Sequence, residues 1–346
     1  MSRFLNAFRI PLILITFCIA SVTSFAQIGS LAGGFSRLGF GARGQGMGNG
    51  ISAVTTGILA TYYNPALAPF QEGHLFSGNY SFLALDRKLN QISYTQNLYL
   101  RHKAANNFDN DPDLQSIVGF SAGWTNAGDA TIDGRDDDGF KTQNQSVFEN
   151  QFYFTVANRF NDRLSIGLSF KFYYSGFNVS FTKTDVNSLT SSGFGVDIGI
   201  LYKLTDQINL SLVAKELVTK YRWDTGNLYG PENGKSTENP FVRLYRIGAA
   251  YSLPDSLGLI AGEFEASSEK TYLARLGAEY FLTSNLTLRA GVDKMRLNNS
   301  GIQPVPAAGF TVSQPLGSFS PSITYAILFE AVAPSSTHVL SFALLF

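Results

Sequence analysis

The chain has 346 residues and balances 26 basic against 26 acidic side chains, so nothing in its charge favours nucleic acid as a partner. Charged residues make up 15%, well below the ~25% usual in soluble domains, while 29 Phe, 16 Tyr and 33 Gly are conspicuous. The single cysteine, Cys18, leaves no basis for disulfides, thiolate metal sites or a cysteine nucleophile beyond the leader that holds it.

Residues 1–26 read as a secretory signal. Arg3 and Arg9 give a basic start, an apolar core runs from Ile10 to Val22, and Ser24-Phe-Ala26 places small residues at a cleavage site before Gln27. The core is short for a ~20-residue transmembrane anchor, and no basic stop follows it. Beyond it, no stretch approaches 18 consecutive apolar residues, which excludes helical spans.

Residues 27–71 do not alternate. They are rich in Gly, Ala, Ser and Thr, and close on Tyr62-Tyr-Asn-Pro-Ala-Leu67. Asn64 suits an N-cap and Pro65 the first helical position, so a short helical turn is expected there. Small residues pack closely, and the segment is expected to fold into a barrel mouth as a plug, since a wide barrel holds more space than its wall side chains fill. Gly44-Gln-Gly-Met-Gly48 is no nucleotide loop, because no strand precedes it and no Lys-Ser/Thr follows it. Asn64-Pro-Ala66 is no water-channel signature, which needs two copies in a helical bundle.

From residue 72 to 346 about fourteen segments alternate with period two, the pattern of strands. They lie near 72–84, 89–101, 114–126, 148–160, 162–176, 193–204, 206–216, 241–253, 257–267, 272–282, 285–296, 303–315, 319–331 and 336–346. Leu164-Ser-Ile-Gly-Leu-Ser-Phe-Lys-Phe172 is the clearest, with apolar residues on one face and small or charged ones on the other. Alternation alone fits a soluble sandwich equally well. The connections decide for a membrane barrel: Phe160-Asn-Asp-Arg163, Leu204-Thr-Asp-Gln207, Leu253-Pro-Asp-Ser256, Leu282-Thr-Ser-Asn285 and Leu316-Gly-Ser318 fall at every second junction, while 127–147, 177–192 and 217–240 are long and polar. The stretch 101–113 is the misfit, long where a short turn is expected. Loop 127–147 holds Asp133-Gly-Arg-Asp-Asp-Asp-Gly139, but a calcium loop of EF-hand type needs Gly and Glu where Asp138 and Asn144 stand.

The expected fold is therefore all-β: a transmembrane antiparallel up-and-down barrel of about fourteen strands with a short, partly helical N-terminal plug. Lumen-facing parity selects Lys171, Asp197, Lys203, Lys215, Glu263, Arg275, Glu279, Arg289 and Asp293, expected to form a paired network rather than an ion path. Glu263 and Glu265 share a face, but neighbours on a barrel wall with no cleft are structural, not a glycosidase pair. The closing strand, His338 to Phe346, keeps the same parity and is expected to pair with the strand near 72–84. Phe346 then stands as an assembly signal on the lipid side.

Gly41-Ala-Arg-Gly-Gln-Gly-Met-Gly48, Ala53-Val54 and Tyr63-Asn-Pro-Ala66 together resemble the N-terminal hatch of the FadL/PorV superfamily of outer-membrane barrels. Leu85-Asp-Arg-Lys-Leu89, Ile132-Asp-Gly-Arg135 and Tyr221-Arg-Trp-Asp224 resemble its PorV/PorQ-like branch. The resemblance implies hatch residues Arg43, Gly46, Met47, Gly48, Asn64, Pro65 and Ala66. It implies a multi-pass barrel in the outer membrane of a Gram-negative bacterium of Bacteroidetes type, in contact with outer-membrane lipid and the barrel-assembly machinery. It implies a non-enzymatic role linked to type IX protein secretion or surface attachment, with exported proteins as partners. The alternative is FadL-type passive transport of long-chain fatty acids or other hydrophobic small molecules, for which a plug must shift or leave a lateral opening because the lumen is polar. No cofactor or metal is called for, and His74, His102 and His338 form no Ser-His-Asp arrangement.

Overall fold

A computed structural model describes residues 31–101, 115–128, 132–135, 138–179, 187–230, 232–298, 303–331, 333 and 335–346. The signal expected over 1–26 lies outside them. The strands are β1 (His74–Phe82), β2 (Lys88–Arg101), β3 (Gln115–Gly128), β4 (Val147–Arg159), β5 (Leu164–Val179), β6 (Asn187–Lys203), β7 (Ile208–Lys215), β8 (Lys220–Asp224), β9 (Ser236–Pro240), β10 (Leu244–Ser252), β11 (Gly258–Ser267), β12 (Tyr272–Phe281), β13 (Leu286–Arg296), β14 (Val305–Ser313), β15 (Ser320–Leu328) and β16 (Thr337–Leu345). All but β8 and β9 close into one antiparallel barrel of fourteen strands, in which β7 pairs with β10 and β16 returns to β1.

The faces are inverted relative to a soluble sandwich. Along β5, Ile166, Leu168, Phe172 and Tyr174 are exposed, whereas Ser165, Ser169, Lys171, Tyr173 and Ser175 are buried. The same order holds on β4 and β10, where Phe152, Phe154, Tyr245 and Ile247 point out and Gln151, Thr155 and Arg246 point in. Apolar side chains outward and polar ones inward suit lipid outside and a closed wall whose backbone groups all pair.

The barrel closes through eight register pairs, from Leu75↔Leu345 to Phe82↔His338. Beyond them, His74 N donates to Phe346 O at 2.7 Å and Phe346 N to His74 O at 3.0 Å. The Phe346 ring stacks on His74 at 5.4 Å and leans on Phe319 at 6.0 Å. The pairing expected between the last strand and the first is thus observed.

Three of the short turns share one construction. Phe160, Leu204 and Leu282 each donate their N–H to the carbonyl four residues on, at 2.9 to 3.0 Å. The polar side chain next along, Asn161, Thr205 or Thr283, accepts from the N–H groups that follow at 2.9 to 3.2 Å. Short Asn and Thr side chains close turns this way because they replace a backbone acceptor locally. The misfit 101–113 falls almost wholly outside the described residues; β2 and β3 pair as far as Arg101↔Gln115, so the strand count holds.

Two departures from the expected segments have a common cause. β5 and β6 run on past the barrel as a ribbon paired to Val179↔Asn187, so β6 begins six residues before the expected 193. The stretch 217–240, read as a loop, contains the β8–β9 hairpin. Above the lipid zone no apolar face is demanded, so Asn187-Ser-Leu-Thr-Ser-Ser-Gly193 carries no amphipathic signal. The hairpin does alternate: Tyr221 and Trp223 pack on Phe241 and Phe177, while Lys220 and Arg222 bond Glu238.

Residues 31–71 fill the lumen. They form a 3-10 turn (Gly34–Arg37), helix α1 (Ala42–Gly46), irregular chain, and a second 3-10 turn (Pro65–Phe70). Phe40, Met47, Ile51, Val54, Leu59, Tyr62, Tyr63 and Leu67 are buried there and make the principal apolar core. Asn64 caps the second turn, accepting from Ala66 N at 2.9 Å, with Pro65 first in the turn.

Candidate functional site: the plug, its seat and the adjoining cavity

The plug is seated against wall glycines. Met47 lies against Gly277 and Gly291, where an added β-carbon would stand 2.3 Å from Met47 O and 2.4 Å from Gly48 N. Asn64 and Pro65 lie against Gly199 and Gly167 in the same way, at 2.0 and 2.5 Å. At Gly277, Gly291 and Gly167 backbone meets backbone, and at Gly199 the Asn64 and Pro65 side chains press on it, so only glycine leaves room. Gly48 adds a second reason on the plug side, because its φ of 61° is left-handed.

Charged side chains fasten the seat. Arg43 of α1 grips Glu279 of β12 with two hydrogen bonds, at 2.9 and 2.7 Å, and donates to Thr56 O and Ile58 O at 2.6 and 2.7 Å. Arg289 reaches the same carboxylate at 3.1 Å and Thr311 Oγ1 at 2.7 Å. Arg275 bonds Asp293 at 2.7 Å and Glu263 and Glu265 at 3.1 Å, and Asp293 also accepts from Asn49 of the plug at 2.8 Å. Arg246 joins Glu265 at 2.7 Å.

Across the lumen, Lys171 sits between Asp197 at 2.6 Å and Glu216 at 2.7 Å. Glu216 also accepts from Tyr173 Oη and Thr219 Oγ1. Lys215 donates to Tyr62 O at 2.9 Å, its ammonium 3.5 Å from the Tyr62 ring centre. A buried charge costs several kcal/mol unless paired, and pairing about offsets that cost. These networks therefore set where the plug sits more than they add stability.

The structure brings Lys171, Asp197, Arg275, Glu279, Arg289 and Asp293 into these networks, but not Lys203. That lysine lies near the short-turn rim, its Nζ 4.9 Å from the Phe70 ring centre, because β6 ends there and no carboxylate faces it at bonding distance among the described residues. Arg43, Gly46, Met47, Gly48, Asn64, Pro65 and Ala66 all lie in the plug–wall contact; Gly46 faces Arg289 and Ala326, and Ala66 O accepts from Ser165 at 2.9 Å. Parity reasoning passed over Arg246 and Glu216. Arg246 was legible, since Tyr245 and Ile247 flank it on the outer face. Glu216 was not: it lies past the end of β7 at φ 58°, where alternation stops.

Beside the plug lies a small cleft open to solvent, with about 40 Å³ of room for the centres of water-sized molecules. Phe40, Ile51, Ile58, Leu59 and Tyr62 of the plug form one side; Ser77, Asn79, Gln91, Ser93, Thr324 and Ser341 of β1, β2, β15 and β16 form the other. A largely apolar plug face that also includes Arg43 thus stands opposite a wall rich in uncharged hydrogen-bonding side chains, with Tyr153, Phe342 and Ala343 beside them.

No family model matches the sequence, and no curated protein matches it significantly. Among solved structures, the chain is similar to the toluene transporter TbuX of Ralstonia pickettii, with TM-score 0.58 and 14% identity over 90% of this chain and 100% of that one. It is likewise similar to the toluene transporter TodX of Pseudomonas putida, with TM-score 0.57 and 12% identity over 89% of this chain and 99% of that one. The plugged fourteen-strand barrel is therefore a fold that this chain shares with transporters.

Proposed function

We propose that the protein is a non-enzymatic outer-membrane channel of FadL type that lets hydrophobic small molecules cross passively. The cavity between the apolar plug face and the β1–β2, β15–β16 wall carries this reading, since it offers an apolar molecule an apolar surface inside a polar lumen. The likeness in fold to two toluene transporters supports it. The plug occupies the lumen, so passage requires it to part from the wall. A strain lacking the gene should lose uptake of labelled toluene or oleate across its outer membrane and regain it on complementation. Equal uptake with and without the protein, for both probes, would end this reading.

A second reading has one observation in its favour. Strand β9 is exposed along its whole length, and its outer edge is unpaired among the described residues, so it offers a polypeptide a strand to pair with. That suits a PorV/PorQ-type barrel that docks exported proteins at the surface of a Bacteroidetes-type bacterium. Unchanged display of surface proteins after deletion of residues 220–240 would exclude it.

A further inference from the structure

We infer that the cavity selects uncharged amphiphiles: molecules with an apolar body and a neutral hydrogen-bonding head such as an alcohol, phenol or amide. This rests on the transport reading and narrows it. The register places Thr324, Ser341, Asn79, Gln91, Thr125 and Gln151 in one continuous row across β15, β16, β1, β2, β3 and β4, each directly opposite the next. All six side chains are capable of hydrogen bonding and none is charged. Its first four residues line the cavity with Phe40, Ile51 and Leu59 of the plug, while Thr125 and Gln151 lie beyond that lining.

The row has bonding capacity left over. Asn79 Nδ2 donates to Gln91 Oε1 at 3.0 Å, while Asn79 Oδ1 and Gln91 Nε2 have no partner among the described residues. Thr125 and Gln151 are fully buried, and neither the Thr125 hydroxyl nor either polar atom of the Gln151 amide is bonded. Buried amides normally find partners, so the unbonded Asn79 Oδ1 and Gln91 Nε2 on the cavity wall are placed to receive a polar group.

Charge is excluded from the same place. Arg43 is the only charged side chain lining the cavity among the described residues, and four of its five donors are already used on Glu279, Thr56 O and Ile58 O. A carboxylate would enter without a free cation to meet it. A pure hydrocarbon would leave the amides unsatisfied. A neutral head placed on the row avoids both penalties.

Toluene, benzyl alcohol and benzoate share a ring and differ in the head, so they separate the cases. Binding of each to the full protein in nanodiscs is read by ligand-observed NMR titration, with empty nanodiscs subtracted. Benzyl alcohol should bind about tenfold more tightly than toluene, the worth of one or two net hydrogen bonds, with benzoate weakest. In the double variant Asn79→Leu, Gln91→Leu that ratio should fall to about one, provided heat-modifiable gel mobility shows an assembled barrel. The wild-type ranking decides independently of whether the variant assembles. Toluene binding as tightly as benzyl alcohol in the wild type, or benzoate binding most tightly, would overturn the selectivity and leave the transport reading standing. If no probe binds and uptake of hydrophobic molecules does not depend on the protein, both are overturned.

Discussion

Replacing Arg43 by Met tests whether the plug is held by its guanidinium fork. The substitution keeps an unbranched apolar stem but removes four hydrogen bonds, two to Glu279 and two to the carbonyls of Thr56 and Ile58. The pair is buried, with side-chain exposures of 12% and 1%. Breaking such a pair costs ~3–5 kcal/mol when the remaining charge is left alone. Here Arg289 stays beside Glu279 at 3.1 Å, so about 2–3 kcal/mol is the reasonable expectation. The loss falls on the docked plug rather than on the barrel, whose fourteen strands are paired independently of Arg43. At 1.4 kcal/mol per tenfold, the undocked population rises roughly 30- to 150-fold. Amide hydrogen exchange reads this directly. Peptides covering 51–61 should exchange faster by that factor, and those from β12 and β13 should not. Glu279→Gln should act in the same direction, and the double variant should cost less than the two singles summed, since both remove one interaction. Wild-type exchange in 51–61, or equal acceleration in the strands, would refute the assignment.

Gly277→Val places a side chain 2.3 Å from Met47 O. The barrel should still show heat-modifiable mobility while residues 40–50 become accessible to protease; persistent protection would mean the glycine seat is not what admits the plug. Deleting Phe346 removes the ring stacked on His74 and Phe319 and the last backbone pair of the closing seam. It should lower the amount of assembled protein in the membrane without changing transport per assembled barrel, and normal surface levels would contradict this. In the β8–β9 hairpin, hydrogen bonds from Lys220 and Arg222 hold the exposed Glu238 carboxyl below its ordinary value. A lowered folded-state value means the contribution is complete above the ordinary carboxylate range, near pH 4.3, and is lost as pH falls through the lowered value. Hairpin amides should therefore exchange faster, after correction for intrinsic rates, at pH 3 than at pH 7. An unchanged protection factor would remove Glu238 from the account.

The wall was legible because lipid imposes a strict rule on it: every strand that crosses must turn its apolar side outward, and Leu164 to Phe172 obeys that rule residue by residue. The turns were legible for a local reason, an Asn or Thr that caps its own backbone. Outside the lipid the rule lapses, which is why the ribbon end of β6 and the β8–β9 hairpin were read as loop. The plug's Asn64-Pro65 start could be read from capping chemistry, but its address could not. That Met47 lies on Gly277 and Gly291, or that Arg43 reaches Glu279 236 residues away, depends on closure of the barrel. The polar row was equally hidden, since its six members lie on six strands and become neighbours only through register.

How the plug is fastened bears on how it must move. On the β12–β13 side it is held by the Arg43–Glu279 fork, the Asn49–Asp293 bond and backbone seated on glycine. On the other side its bonds to the wall are neutral: Ala42 N to Ser341 Oγ at 2.7 Å, Thr61 to Ser121 at 2.9 Å, and Asn97 to Pro69 O at 3.3 Å. No ion pair joins the plug to β14–β16 or β1–β3 among the described residues. Neutral bonds contribute ~0.5–1.5 kcal/mol each, and bonds to charged groups ~1.5–3. The plug should therefore part from the β1–β16 side first and pivot on the charged side, opening the wall where the cavity already lies. In the channel proposed above, this asymmetry would let the plug swing open on one side without leaving the barrel. Cross-linking Ala42 to Ser341 through paired cysteines should then abolish uptake, whereas tying Asn49 to Asp293 in the same way should leave most of it. Uptake that survives the first cross-link and fails with the second would place the pivot on the opposite wall.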